Sequence, residues 1–168
     1  MELLGVPKEK VVFLLFPEAQ YNPLARNPDG FFMKQALQNE IDDFKPTLLI
    51  LPHPKDTHID HAAAGKAVQE IISEKNLSIN TAYYLIHYNF LKFPSPPGFK
   101  PEAYLLPPAR LISLSEHWYK FTLTENEEAL KEEAVFMYKS QLSLENPILY
   151  RMLLDFIRKN ELFMIPEH

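Results

Sequence analysis

Apolar positions along this chain fall into two kinds of block: short unbroken runs, and longer stretches with helical spacing. Val11-Val12-Phe13-Leu14-Leu15-Phe16, between Pro7 and Pro17, is a run of the first kind and predicts a strand buried on both faces. A loop is expected from Pro17 to about Gly30. From Phe32 to Phe44, residues Met33, Leu37, Ile41 and Phe44 share one helical face, and Pro46 favours a stop there. Thr47 to Leu51 is a second unbroken apolar run, read as another buried strand. Such alternation of strand and amphipathic helix predicts an α/β fold with a parallel sheet.

The next helical stretch carries Ala64, Ala67, Val68, Ile71 and Ile72 on one face, an i, i+3, i+4, i+7, i+8 set. Its entrance holds the histidines of His53 to His61. The end of a strand and the start of the following helix is where open α/β sheets hold ligands. Thr81 to Tyr88 reads as a further strand. Residues 89 to 109 are rich in proline, with Phe90, Phe93, Phe99 and Tyr104, which excludes regular helix and central strand and predicts an ordered surface loop. Leu111 to Leu123 is strand-like around Trp118. Thr124 and Glu127 offer a capping box for a helix with Leu130, Ala134, Met137, Tyr138 and Gln141, and Asn146-Pro147 opens a last helix with Leu149, Leu153, Phe156 and Ile157 on its buried side.

Composition narrows the chemistry. The chain has 168 residues, is 46% hydrophobic, and contains no apolar run near membrane-span length, so we expect one compact domain over 1–168 and no bilayer span. Without cysteine, disulfides, thiolate metal sites and cysteine nucleophiles drop out, and any metal must sit on His, Asp or Glu. A formal charge of −5 without a basic cluster argues against nucleic acid and for a small-molecule partner. Four glycines cannot write a Walker loop or a dinucleotide fingerprint. The N-terminal residues have no basic stretch followed by an apolar one, so the expected location is cytoplasmic.

The densest chemistry lies in Asp56-Thr57-His58-Ile59-Asp60-His61. With a helix starting near Thr57, His58 and His61 project from one side of its first turn. The partial positive charge of a helix N-terminus favours neutral imidazole, the form that binds a metal. A carboxylate beside such a histidine fixes its tautomer, a part that Asp60 or Asp56 suits. Catalytic zinc sites use three protein ligands and a water, so at least one ligand must come from elsewhere. The plainer alternative is that Asp56 or Thr57 caps the helix, His58 faces solvent, and His61 is a hydrogen-bonded histidine on the Ala64 and Val68 face. His87, at the end of a predicted strand, is either a substrate contact in the same crevice or a buried histidine bonded to backbone.

Leu51-Pro52-His53-Pro54-x-Asp56-x-His58-Ile59-Asp60-His61-x-Ala63-Ala64-Gly65-x-Ala67 resembles the second signature of the PIG-L/LmbE zinc-dependent N-deacetylases, with Ile59 where proline is usual. Leu4-Gly5-Val6, Phe13 to Pro17, Lys131, Ser140-Gln141 and Asn160 to Phe163 extend the resemblance along most of the chain. It implies a Rossmann-like, mostly parallel sheet flanked by helices, with His61 a zinc ligand. It further implies that His58 stabilises an oxyanion or protonates a leaving amine, and that Asp60 orients His58. The implied reaction is removal of an acetyl group from an N-acetylated amino-sugar derivative by zinc-activated water.

The family's first signature, His-Pro-Asp-Asp, has no counterpart, and His53-Pro54 is followed by Lys55. The resemblance therefore implies a sheet lacking its first strands, together with two zinc ligands and the general base. An open strand edge invites association, so a homo-oligomer, poor solubility or rearranged strand pairing is expected. A catalytically inactive family member acting as a binding or interaction module is the alternative.

Overall fold

The computed structural model describes residues 2–16, 28–89, 92–112, 117–142 and 147–166. The expected loop from Pro17 to Gly30, Phe90 and Asn146 lie wholly or largely outside them. Five α-helices are described: α1 (Pro28–Phe44), α2 (Ile59–Glu74), α3 (Ala109–Ile112), α4 (Glu125–Phe136) and α5 (Pro147–Asp155). Four strands, β1 (Leu48–Pro52), β2 (Asn80–Tyr84), β3 (Trp118–Thr122) and β4 (Asn160–Met164), form one sheet in the order β1-β2-β4-β3. The fold is α/β, a partly parallel sheet with helices, as the alternation of runs and faces predicts. No described helix is long and apolar enough to cross a membrane.

The contacts group the chain into two compact units. One comprises Phe13–His87 and Met164–His168. In it β1 and β2 run parallel from Leu48 opposite Asn80 to Pro52 opposite Tyr84, and Tyr83 pairs antiparallel with Met164. Helix α1 lies against α2, with Met33, Ala63 and Ala67 buried and Leu37 packed on them. Lys34 Nζ reaches Glu70 at 2.9 Å and Glu74 at 2.7 Å, and Lys75 reaches Asp42 at 2.6 Å. These are exposed pairs, each worth roughly 0–1 kcal/mol, so apolar packing carries the contact. Lys45, at φ 52°, adopts the left-handed turn that closes α1 just before Pro46.

Gly65 sets how closely α2 approaches β1. A Cβ built on it would stand 2.3 Å from the carbonyl oxygen of Pro52, a separation no side chain tolerates. The missing Cβ thus lets the first turns of α2 lie directly on the chain leaving β1.

The other unit comprises Met1–Val12 and Tyr88–Phe163. Its segment 92–108 is largely irregular, as its prolines require, with one bridge between Ser95 and Leu106. Three buried polar side chains hold it. Asp155 Oδ2 accepts from Gly98 N at 2.9 Å, and Arg158 donates to the carbonyls of Pro96 (2.8 Å) and Gly98 (2.6 Å). Asn160 accepts from Leu105 N at 2.7 Å and donates to Leu105 O at 3.3 Å. The capping box at Thr124 and Glu127 is present.

Several expectations need correction. Val11 to Phe16 forms no strand: Leu15 turns to φ 55°, and Phe13 and Leu15 are 76% and 88% exposed. An extended run becomes a strand only where a neighbour takes its backbone groups, and among the described residues none does. Likewise β1 is an edge strand with Leu48 and Ile50 exposed, not buried on both faces. Residues 109–112 are helical, and the strand anticipated from Leu111 begins only at Trp118. Helix α4 stops at Phe136, short of Gln141, and α5 stops at Asp155, short of Phe156 and Ile157. Strand β4 has no forerunner in the apolar pattern, because Asn160 and Glu161 open it.

Candidate functional site

β1 ends at Pro52, and the chain crosses to α2 through six residues, His53 to Thr57 leading to His58 at the N-cap. His53 is buried; its N–H donates to Tyr84 O at 2.7 Å, and its Nδ1 accepts from Lys55 N at 3.0 Å. This histidine holds the turn. Because β1 and β2 are parallel, the chain leaving β2 runs beside the chain leaving β1. Thr57 N accordingly donates to His87 O at 2.8 Å.

Asp56 binds these pieces together. Its side chain is 0% exposed, and both of its oxygens accept hydrogen bonds. Oδ1 accepts from His58 N at 2.8 Å, and Oδ2 accepts from Ile86 N at 3.0 Å and His87 N at 3.1 Å. His61 Nδ1 lies 3.3 Å from Oδ2. Burial alone would raise the Asp56 carboxyl, but the bond with His61 and the three N–H donors outweigh it and hold it below the usual value.

Three imidazoles converge around this anchor. Ring centroids are 4.7 Å apart for His58 and His61, 5.2 Å for His58 and His87, and 5.1 Å for His61 and His87. All three are half-buried. Burial pushes the His87 pKa down; Asp56 opposes the shift, and the neighbouring His61 and His58 add to it. His58 Nδ1 is buried with no hydrogen-bond partner. Asp60 lies in the first turn of α2, half-buried. The geometry thus brings His58, His61, His87 and Asp56 together with Asp60 alongside. Sequence reading left Asp56 as one of two candidate partners and could not foresee its hold on Ile86 and His87. From the sequence His87 is either a contact in this crevice or a backbone-bonded histidine, and the parallel pairing of β1 with β2 brings its chain segment beside Thr57.

The donors suit a divalent metal in kind, since imidazole and carboxylate both bind zinc. The set is nevertheless incomplete. Among the described residues no group of three or more His, Asp or Glu is arranged to hold a metal ion, and His61 turns Nδ1 to Asp56. A cleft of about 710 Å³ lies elsewhere, between the end of α2 and β2, lined by Gln69, Ser73, Asn76, Asn80 and Tyr83 among others. It contains none of the histidines. We place the candidate site at the histidines, because clustered imidazoles on a buried carboxylate carry chemistry that an uncharged groove does not.

No protein-family model matches the chain, and no curated protein matches it by sequence. Among solved structures it is similar to the zinc-inhibited form of teicoplanin deacetylase Orf2, at 19% identity and a TM-score of 0.52. The match covers 83% of this chain and 53% of that one, so the chain spans about half the length of that structure. The likeness is one of fold.

Proposed function

We propose that this chain carries the imidazole-bearing part of a metal-dependent amide hydrolase of the PIG-L/LmbE type. The reaction is removal of an acetyl group from an N-acetylated amino-sugar derivative, in the cytoplasm. The observation that carries the reading is the convergence of His58, His61 and His87 over buried Asp56 at the start of α2. The histidine signature and the fold likeness to a deacetylase support it. In this reading His61 is a metal ligand. His58 faces the developing oxyanion or the leaving amine, Asp60 orients His58, and His87 contacts substrate. A bound zinc supplies a water of lowered pKa and polarises the amide carbonyl. The remaining ligands and the general base come from outside the described residues, or from another copy in a homo-oligomer.

A second reading, a catalytically inactive binding module, is favoured by the incomplete ligand set. Metal content of the purified chain, measured beside His61→Ala, separates the two. About one zinc per chain in the parent and none in the variant, with acetate released from N-acetylglucosamine derivatives, supports the hydrolase. No metal in either protein overturns it for this chain and leaves the binding module.

A further inference from the structure

We infer that Asp56 is a positioning residue that fixes His61 as its Nδ1–H tautomer and so leaves the lone pair of that ring on Nε2. The functional consequence rests on the hydrolase reading, but the tautomer itself does not. Oδ1 and Oδ2 receive backbone N–H groups from His58 at 2.8 Å, Ile86 at 3.0 Å and His87 at 3.1 Å. Three donors from two chain segments leave the carboxylate no freedom to turn, and groups that receive N–H bonds act as acceptors. His61 Nδ1 stands 3.3 Å from one of those acceptor oxygens. A lone pair on Nδ1 would face a lone pair on Oδ2; a proton there makes a hydrogen bond. The neutral ring then carries its free pair on Nε2.

The same carboxylate seats His87. Its Oδ2 takes the His87 N–H, Thr57 N–H bonds the His87 carbonyl at 2.8 Å, and the ring falls 5.1 Å from His61 and 5.2 Å from His58. Asp56 therefore aims one imidazole and places another. It does not cap α2, whose N-cap His58 has no side-chain cap bond; its bond to His58 N closes the turn ahead of the helix.

Long-range nitrogen NMR on the full chain, metal-free and well above the usual histidine pKa of about 6.5, reads the tautomer directly. His61 is expected with its proton on Nδ1. An Nε2–H ring in the parent overturns the inference, whether or not the chain binds zinc. In Asp56→Asn the Nδ1–H preference is expected to weaken, and zinc affinity to fall by roughly 10–100-fold. A folded Asp56→Asn chain whose His61 tautomer is unchanged also overturns it. If that variant does not fold, the parent's tautomer decides. An Nδ1–H ring in a parent that binds no zinc keeps the inference and removes the hydrolase reading.

Discussion

Asp56 and Asp155 are both buried carboxylates that hold irregular chain by accepting backbone N–H groups, yet they do different work. Around Asp155 the companions are Arg158 and Asn160, and their bonds run to the backbone of Pro96, Gly98 and Leu105. Those bonds order a proline-rich segment. Around Asp56 the companions are three imidazoles, groups that can exchange a proton or bind a metal at neutral pH. Orphaned polar atoms do not separate the two, since His58 Nδ1, Asp155 Oδ1 and Arg158 Nε all lack hydrogen-bond partners. The difference lies in what the carboxylate holds, and that is why the first is the candidate site.

The sharpest way to break this comparison is to remove both anchors. Asp56→Ala leaves the N–H groups of His58, Ile86 and His87 without an acceptor; these bonds are part-buried, so at the lower part of the about 1–3 kcal/mol per orphan we expect a loss of roughly 3–5 kcal/mol. Asp155→Ala strands the single N–H of Gly98 and is expected to cost about 1–3 kcal/mol. Denaturant midpoints of the two variants and their double test both values. The anchors share no bonded partner, so the losses should add to within about 0.5 kcal/mol. Equal single losses would mean that Asp56 is no more than a second loop anchor.

Gly65 tests the histidine site from its back. Gly65→Ala drives a methyl group into the Pro52 carbonyl at 2.3 Å. The contact is with backbone, which cannot swing aside, so a loss near the upper end of overpacking costs, about 2–3 kcal/mol, is expected. Hydrogen exchange should rise at Ile86, His87 and the first turn of α2, while Gly98 and Leu105 keep their protection. Uniform loss of protection would show that the two anchors do not mark separately stable regions.

Acid is the next, gentler probe. The His87 pKa is lowered in the folded chain, so on acidification below about 6.5 the unfolded chain takes up a proton first. Stability from this group is intact at higher pH and falls as pH drops from that value toward the lower folded one. Asp56, whose folded pKa is also lowered, adds stability that is present above the ordinary carboxyl value and lost as pH falls through the folded one. Both effects weaken the histidine site in acid, in two successive windows. The cluster of Asp155, Arg158 and Asn160 contains no imidazole. Exchange at Ile86 and His87 should therefore quicken in the first window before that at Gly98 and Leu105; the reverse order would sink the assignment.

How much of this was legible beforehand follows from the range of the forces. α1, α2 and the Thr124 cap were legible because helical spacing and capping are local. β1 and β2 were legible as apolar runs, but their exposure was not, since burial of a strand depends on neighbours far along the chain. The run Val11 to Phe16 fails for the same reason, and β4 escapes notice because its entry, Asn160, is buried through hydrogen bonds to Leu105 and not through apolarity. At the site, His58, His61 and Asp60 are adjacent in sequence and therefore readable. Asp56's hold on Ile86 and His87 spans about thirty residues and needed the parallel register.

The smallest effect lies away from both anchors. Thr124 accepts from Glu127 N at 3.4 Å, and Thr124 N donates to the Glu127 carboxylate at 2.7 Å. No residue of α4 is buried, so this helix leans on local bonds more than on packing. Thr124→Ala should cost about 1 kcal/mol, the usual worth of such a cap, and should raise hydrogen exchange in the first turn of α4 alone. If exchange at Gly98 and Leu105 rose with it, the Asp155 region would depend on α4 as well as on its own buried side chains. Asp155, Arg158 and Asn160 would then be one part of a larger cooperative unit, and a buried carboxylate alone would not explain the order of the proline-rich segment.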